Sequence, residues 1–265
     1  MHQDNIFLTL TYDDEHLPSN KLFYPDWQEF AKKLREKRVN HITDPEVKKE
    51  YRKKFYMPMM VTGEYGEQNK RPHWHAIIFN YRPKDSKHLY TSDHGEEVFT
   101  SDEIHKLWGK GRHEFGSVTI ESAGYVARYA SKKLVHGHDG DHEYEPIHRT
   151  ASKRGIGRTW IEKYWKHTFD NGFIVLPNGQ KAGIPRYYVD WLKTEKPDVW
   201  EEYVTGVKLE QIEKAEAKAR KEELEYLSRA FQVIPNGQPR PKTRNEVRET
   251  ILKSKFKRLT ENLKL

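Results

Sequence analysis

The chain has no cysteine in 265 residues. That excludes disulfides, thiolate catalysis and cysteine-ligated zinc, so any metal site has to be assembled from histidine, aspartate and glutamate. It also has no long apolar run. Nothing approaches the roughly 18 consecutive apolar residues that a bilayer span needs, and the opening MHQDNIF lacks the basic-then-apolar plan of a secretory signal. Apolar residues are scarce altogether, at 35% hydrophobic against 33% charged, with a mean hydropathy of -1.00. A lean core, a heavily solvated surface and a cytoplasmic location are expected, with no membrane partner. The formal charge of +7 and a pI near 9.2 suit a polyanionic partner, because Lys and Arg release condensed counterions when they neutralise phosphates. Basic balance is also common in proteins that never touch nucleic acid.

Along the chain, IFLTLTY (6–12) alternates with period two, and Trp27, Phe30 and Leu34 recur at helical spacing after Pro25, giving strand then helix. PEVKKEYRKKFY (45–56) reads as a basic helix. MPMMVTGEYGE and HWHAIIFN read as two strands, TSDE (100–103) as a helix cap, and FGSVTI (115–120) as a further strand, with Ser122 capping the helix GYVARYASKKL. A hairpin is expected around Asn178 and Gly179 in FIVLPNGQKAGI. Strands separated by helices, with hairpin returns and no strict βαβ repeat, predict an α+β domain on an antiparallel sheet. After Gly206 the composition turns charge-laced and helical, and Val247, Ile251, Leu252, Phe256, Leu259 and Leu263 mark a final amphipathic helix. The expected organisation is a domain over 1–205 and a charged helical region over 206–265.

His73 and His75 stand two apart in RPHWHAIIFN, so on a strand both imidazoles share one face and reach one point beyond the sheet. That geometry suits a divalent ion or simply two polar residues where a strand begins. Fourteen histidines make about one such pair expected by chance, and the spacing leaves both readings open. His136, His138 and His142 lie among Gly and Asp and read as a solvated loop. Glu64, at the end of the preceding strand, returns by a hairpin toward His73 and His75, where it is either a third ligand or an exposed acid. A carboxylate beside two imidazoles hardens the donor set toward Mg²⁺ or Mn²⁺.

Tyr125 and Tyr129 are four apart on a predicted helix, about 5–6 Å between Cβ atoms on one face. Val126, Ala127, Ala130 and Leu134 form the apolar stripe. The tyrosines share the opposite side with Arg128, Lys132 and Lys133, where a phenol meets a phosphate rather than a core. Free tyrosine has a pKa of about 10, so Lys132 or a polarised phosphate has to offset the small phenolate fraction.

In order, a strand of type FLTLTY, then Glu64 and H-W-H on a strand, then Y-x-x-x-Y with lysines on a helix, resembles the three motifs of the HUH rolling-circle replication initiators of the two-tyrosine kind. TLTYDDEHLP (9–18), GEYG, RPHWHAIIF, GYVARYASKK, RGIG and PRYY (185–188) are similar to the replication initiators of gokushoviruses within the microviruses, over residues 5 to about 205. The resemblance implies a sheet with the histidine strand central and the tyrosine helix over it. It implies His73, His75 and Glu64 as ligands of Mg²⁺ or Mn²⁺, and Tyr125 or Tyr129, assisted by Lys132 and Lys133, as nucleophile on single-stranded DNA at a replication origin. The product is a 5′-phosphotyrosine and a 3′-OH, with host polymerase or helicase as partners of the tail. One departure is the lack of the cysteine-bearing segment usual before the first strand, which bears on DNA binding or on completing the sheet edge. The alternatives are a non-catalytic single-stranded nucleic-acid-binding module, for which the aromatics among basics in KEYRKKFY and WIEKYWK are suited, or a relaxase- or transposase-type enzyme. A cupin is set aside because Ile77 to Asn80 stand where its glutamate belongs.

Overall fold

The computed structural model describes the chain apart from residues 1, 3, 18–20, 67–70, 94, 121, 125, 128–146, 152–153, 233–241 and 262–265. It divides into two compact units, 1–159 and 160–265.

The first unit is built on a seven-stranded antiparallel sheet, with strands β1 (Asn5–Thr11), β2 (Met59–Tyr65), β3 (Pro72–Phe79), β4 (Lys87–Thr91), β5 (Glu97–Thr100), β6 (His113–Ser117) and β7 (Ile147–Thr150) in the order β4-β5-β6-β1-β3-β2-β7. The α+β expectation holds, and the histidine strand β3 lies inside the sheet between β1 and β2. In β1 the alternation reads directly as two faces. Ile6, Leu8 and Leu10 are fully buried, and Phe7, Thr9 and Thr11 between them are only partly covered. Helix α1 (Tyr24–Lys37) buries Trp27, Phe30, Ala31 and Leu34, one helical stripe, in the same core as the even residues of β1 and as Trp74, Ala76 and Ile78 of β3. Each such large side chain contributes about 1.5–3 kcal/mol on burial.

Within that core Trp74 Nε1–H donates to the Tyr12 hydroxyl at 3.0 Å, and Tyr12 donates to Asp26 Oδ2 at 3.0 Å. Lys110 lies 3.2 Å from the other Asp26 oxygen. Burial, with the neighbouring Asp26 carboxylate adding to it, holds the Tyr12 phenol well above its ordinary value, so this tyrosine serves as a structural donor.

Helix α2 (Pro45–Lys54) is capped by Asp44, which accepts from the amides of Glu46 and Val47. Helix α3 (Asp102–Trp108) is capped by Ser101, within the TSDE pattern. β6 runs over 113–117 rather than 115–120, because the chain turns at Thr119. Thr119 Oγ1 accepts from the Ser122 amide at 3.1 Å, and Ser122 Oγ accepts from the Thr119 amide at 2.8 Å. The cap of the following helix is therefore Thr119, with Ser122 its reciprocal partner inside the first turn. β4 is an edge strand with all five residues exposed and a register shift between His88 and Tyr90.

The second unit holds helices α4 (Arg158–Asn171), α5 (Arg186–Glu195), α6 (Pro197–Tyr203), α7 (Leu209–Gln232) and α8 (Arg244–Glu261), and the hairpin β8 (Ile174–Val175) and β9 (Lys181–Ala182). The hairpin turns through Asn178 and Gly179, the latter at φ +79°. Ile161, Phe169, Trp191, Leu192 and Tyr203 form its core, with Trp160 and Trp165 packed against it. Composition set a boundary at 205/206; the chain packs as two units meeting at 159/160, and residue 206 lies inside a π-helical turn, Val204–Lys208, between α6 and α7. Val247, Ile251 and Leu252 are exposed on α8; Leu263 is outside the described residues. No helix among the described residues is long and apolar enough to cross a membrane.

Candidate functional site

The side of the sheet turned away from α1 carries the chemistry. β3 pairs with β1 so that Thr9 stands opposite His75 and Thr11 opposite His73, and with β2 so that Thr62 stands opposite His75 and Glu64 opposite His73. Directly opposed residues share a face, so two imidazoles, a carboxylate and three threonines project together. His75 is 9% exposed. Its Nε2 lies 2.7 Å from Glu64 Oε1, and its Nδ1 lies 3.1 Å from Thr9 Oγ1. His73 Nδ1 lies 3.5 Å from Thr11 Oγ1. Each imidazole is thus held through Nδ1 by a threonine of β1, which leaves Nε2 as the chemically active nitrogen. A hydroxyl both donates and accepts, so threonine supports either tautomer of its histidine.

Burial, reinforced by the proximity of His75, holds His73 below the ordinary imidazole value. A neutral ring with a lone pair is what a metal ligand requires. Gly66 closes over this ring. A Cβ at position 66 would come 2.7 Å from His73 Nε2, so glycine is the residue that leaves the ring its space. The ring centroids of His73 and His75 are 6.2 Å apart. Among the described residues no three His, Asp or Glu side chains already converge tightly enough to hold an ion. The donor chemistry, two imidazole nitrogens and one carboxylate oxygen, nonetheless fits a divalent cation, and the Nδ1 anchors are the outer support such ligands use.

Beside the histidines lies a cavity of about 980 Å³ lined by Phe7, Thr9, His75, Glu97, Glu114 and, at its far side, Thr119 and Ser122. Phe7 stacks on His75, ring planes within 2° and centroids 5.8 Å apart. The capping pair that begins the helix at Ile120 therefore lines the same cavity as the central histidine. The described residues of 120–127 are helical, and Val126 is buried while Ala127 is exposed, so only the first of these two stripe residues is covered. Tyr125, Tyr129, Lys132 and Lys133 lie outside the described residues, as do Glu67, His136, His138 and His142.

The sequence reading missed His148. β7 pairs with β2 so that His148 stands opposite Thr62, and the row His148, Thr62, His75, Thr9, Glu114 crosses five strands on one face. The His148 Nδ1 is buried with no hydrogen-bond partner among the described residues. Only the pairing register places it there, and a short strand following a long loop gives no such signal in sequence. The aromatics noted in WIEKYWK are mostly spoken for, since Trp160 and Trp165 pack against the second unit's core.

A family profile described as a replication-associated protein of the ORF2 class matches residues 5–134. The chain is 52% identical over 265 residues to the "Replication-associated protein VP4" of Bdellovibrio phage phiMH2K, covering the whole chain and 82% of that protein. It is 34% identical over 202 residues to the "Replication-associated protein ORF4" of Chlamydia phage 1, across 72% of this chain and 47% of the relative. With the "Replication-associated protein ORF2" of Spiroplasma virus 4 it shares 31% over 210 residues, 73% of this chain and 59% of the relative. The match thus spans less than two thirds of the latter two relatives. No solved structure matches.

Proposed function

The chain belongs to the ORF2 family of replication-associated proteins, and from that premise we propose that it nicks single-stranded DNA at a phage replication origin and holds the new end as a 5′-phosphotyrosine. The observation that supports this most is the shared cavity: His75 and the Thr119–Ser122 cap line one space, so the helix on which Tyr125 and Tyr129 follow in sequence starts at the histidine face.

In this reading His73, His75 and Glu64 would hold Mg²⁺ or Mn²⁺, with Thr9 and Thr11 fixing the imidazoles through Nδ1. Such an ion supplies positive charge to a phosphodiester that Glu97 and Glu114 would otherwise repel, and stabilises the charge that develops on its oxygens. Tyr125 or Tyr129 attacks phosphorus. The new bond joins the phenolic oxygen to phosphorus, and the bond from phosphorus to the 3′ oxygen breaks. The phenol gives its proton to solvent, the 3′ oxygen takes one up, and the free 3′-OH is left for a host polymerase. The ammonium groups of Lys132 and Lys133 favour the phenolate, and the fold's role is to hold it in line. Two phenols allow a second strand transfer before release.

The test is a denaturing gel. With Mn²⁺ or Mg²⁺ and origin single-stranded DNA, the protein is expected to form an SDS-resistant covalent adduct that EDTA abolishes and that a Tyr125→Phe/Tyr129→Phe double variant does not make. An adduct indifferent to EDTA, or one persisting in the double variant, overturns the assigned roles. Binding without any adduct favours a non-catalytic single-stranded DNA-binding module.

A further inference from the structure

A second concentration of charge lies at the other end of the sheet. The turn that leads into α4 and the C-terminal end of α2 enclose a small cavity of about 30 Å³, lined by Lys53, Lys54, Arg154 and Arg158 together with His2. Its other lining residues are Tyr56, Pro58, Gly155, Gly157 and Thr159, so four cations and an imidazole meet there with no carboxylate among the described residues. Arg154 is fixed in place, donating to the Lys53 carbonyl at 2.9 Å and lying over the Tyr56 ring at 5.5 Å. Gly157 sits at φ +84°, which lets the chain turn tightly into α4, and the first turn of that helix carries no acid to offset its amide dipoles.

The size of the cavity decides what fits. About 30 Å³ admits roughly two water-sized bodies, enough for the oxygens of one phosphate and too little for a base or a sugar. We propose that this cavity grips a backbone phosphate of the DNA strand at a distance from the cut, acting as a remote anchor. The proposal rests on the DNA-processing reading above.

The geometry sets the distance. His2 and Pro58 line the cavity beside the Phe79 end of β3; His2 packs on Phe79 with ring centroids 5.9 Å apart, and Pro58 accepts from the Phe79 amide. His75 and His73 are four and six residues further along that strand, roughly 13 to 20 Å at about 3.3 Å per residue. A DNA strand joining the two places spans at least about four to six stacked nucleotides at 3.4 Å each. The anchor therefore engages a long strand and not a short one.

Binding is measured by fluorescence anisotropy in EDTA, so that no cleavage intervenes, over a series of salt concentrations. The probes are two fluorescent single-stranded oligonucleotides, one too short to reach from the histidines to the cavity and one several times longer. Lys53→Gln/Lys54→Gln and, separately, Arg158→Gln are compared with Lys32→Gln/Lys33→Gln, a charge-matched pair on the exposed face of α1. The cavity variants are expected to bind the long probe about tenfold more weakly, with the salt slope reduced by about 0.7 for each phosphate no longer neutralised. Affinity for the short probe and both affinities of the α1 control stay unchanged.

Equal losses on both probes, or an equal loss in the α1 control, overturn the proposal, since they report general electrostatics. Inorganic phosphate is the second probe. If it binds the wild-type chain and not the cavity variants while long-probe affinity is unaltered, the site serves a free anion and the DNA assignment fails. Failure of the nicking reading shows separately, as no covalent adduct from the wild-type chain, and leaves the anisotropy comparison intact.

Discussion

Glu64 reaches past the residue it is paired with. In register it stands opposite His73, yet its Oε1 closes on Nε2 of His75, two residues along β3, at 2.7 Å. Diagonal neighbours across an antiparallel pair lie about 7–8 Å apart at Cα, within reach of a long side chain. The carboxylate thereby touches one imidazole while issuing from the position beside the other, and a single glutamate serves both. Both partners are largely enclosed, with side chains 11% and 15% exposed, so the contact is little screened by solvent.

Glu64→Gln keeps the shape and an oxygen able to accept from Nε2–H while removing the charge. Affinity for Mn²⁺, followed by titration calorimetry, is expected to fall at least about tenfold, with the circular dichroism spectrum unchanged. Undiminished Mn²⁺ binding would show that Glu64 is no ligand.

The two threonine anchors differ, and so do their expected effects. Thr9 lies 3.1 Å from His75 Nδ1, while Thr11 lies 3.5 Å from His73 Nδ1, at the limit of a hydrogen bond. Thr9→Val should lower Mn²⁺ affinity by about 10–100-fold, the usual cost of an outer-shell partner, and Thr11→Val by clearly less. Equal losses would contradict the geometric ranking.

Gly66 and Gly111 make a contrasting pair. A Cβ at 66 meets the His73 ring at 2.7 Å, a side chain that rotates away; one at 111 meets the Asp13 amide nitrogen at 2.4 Å, and position 111 has φ +136°. Gly66→Ala should therefore keep its melting temperature within a few degrees and lose most adduct formation. Gly111→Ala should lose more than about 2 kcal/mol in urea unfolding, because backbone must move and the conformation is one L-residues avoid.

Acid should weaken the first unit. His113 Nε2 accepts the Ser101 amide at 3.1 Å, a bond open only to the neutral ring. Burial, then the nearby His105, hold His113 below 6.5, and His2, His73 and His148 are lowered as well, each chiefly by burial. From 6.5 downward the unfolded chain takes up protons that the folded chain refuses, so stability present above 6.5 is lost progressively as pH falls toward the folded values. Urea midpoints at pH 7.5 and 5.5 should differ in that sense, and His113→Gln should narrow the gap.

Much of this architecture was legible in the residues. Alternation in β1 and the stripe Trp27, Phe30, Leu34 predicted strand and helix because one face of each is buried, and the short Gly-bearing return after β2 foretold that Glu64 comes back to the histidines. The β4–β5 hairpin went unseen for the opposite reason. All five residues of β4 are exposed, so no burial contrast marks them, and β7 is four residues whose pairing alone reveals His148. Composition misled at 206, where charge content changes but helix continues through the π turn, whereas the packing of Trp160 and Ile161 belongs to the second unit. The cap at Thr119 was one turn earlier than Ser122 because the two side chains exchange bonds, and a Ser three residues after a Thr fits either role on paper.

The kinked margin of the sheet has a bearing on how the chain behaves in company. β4 ends one side of it with a short run broken by a slip between His88 and Tyr90, and Lys87 at its start is tied to Asp102 at 2.6 Å. Another copy seeking to lengthen the sheet finds no straight rail of amides there and a charged residue at the threshold. A protein that accumulates beside replicating DNA can thus reach high local concentration on that side without its sheets fusing into aggregates.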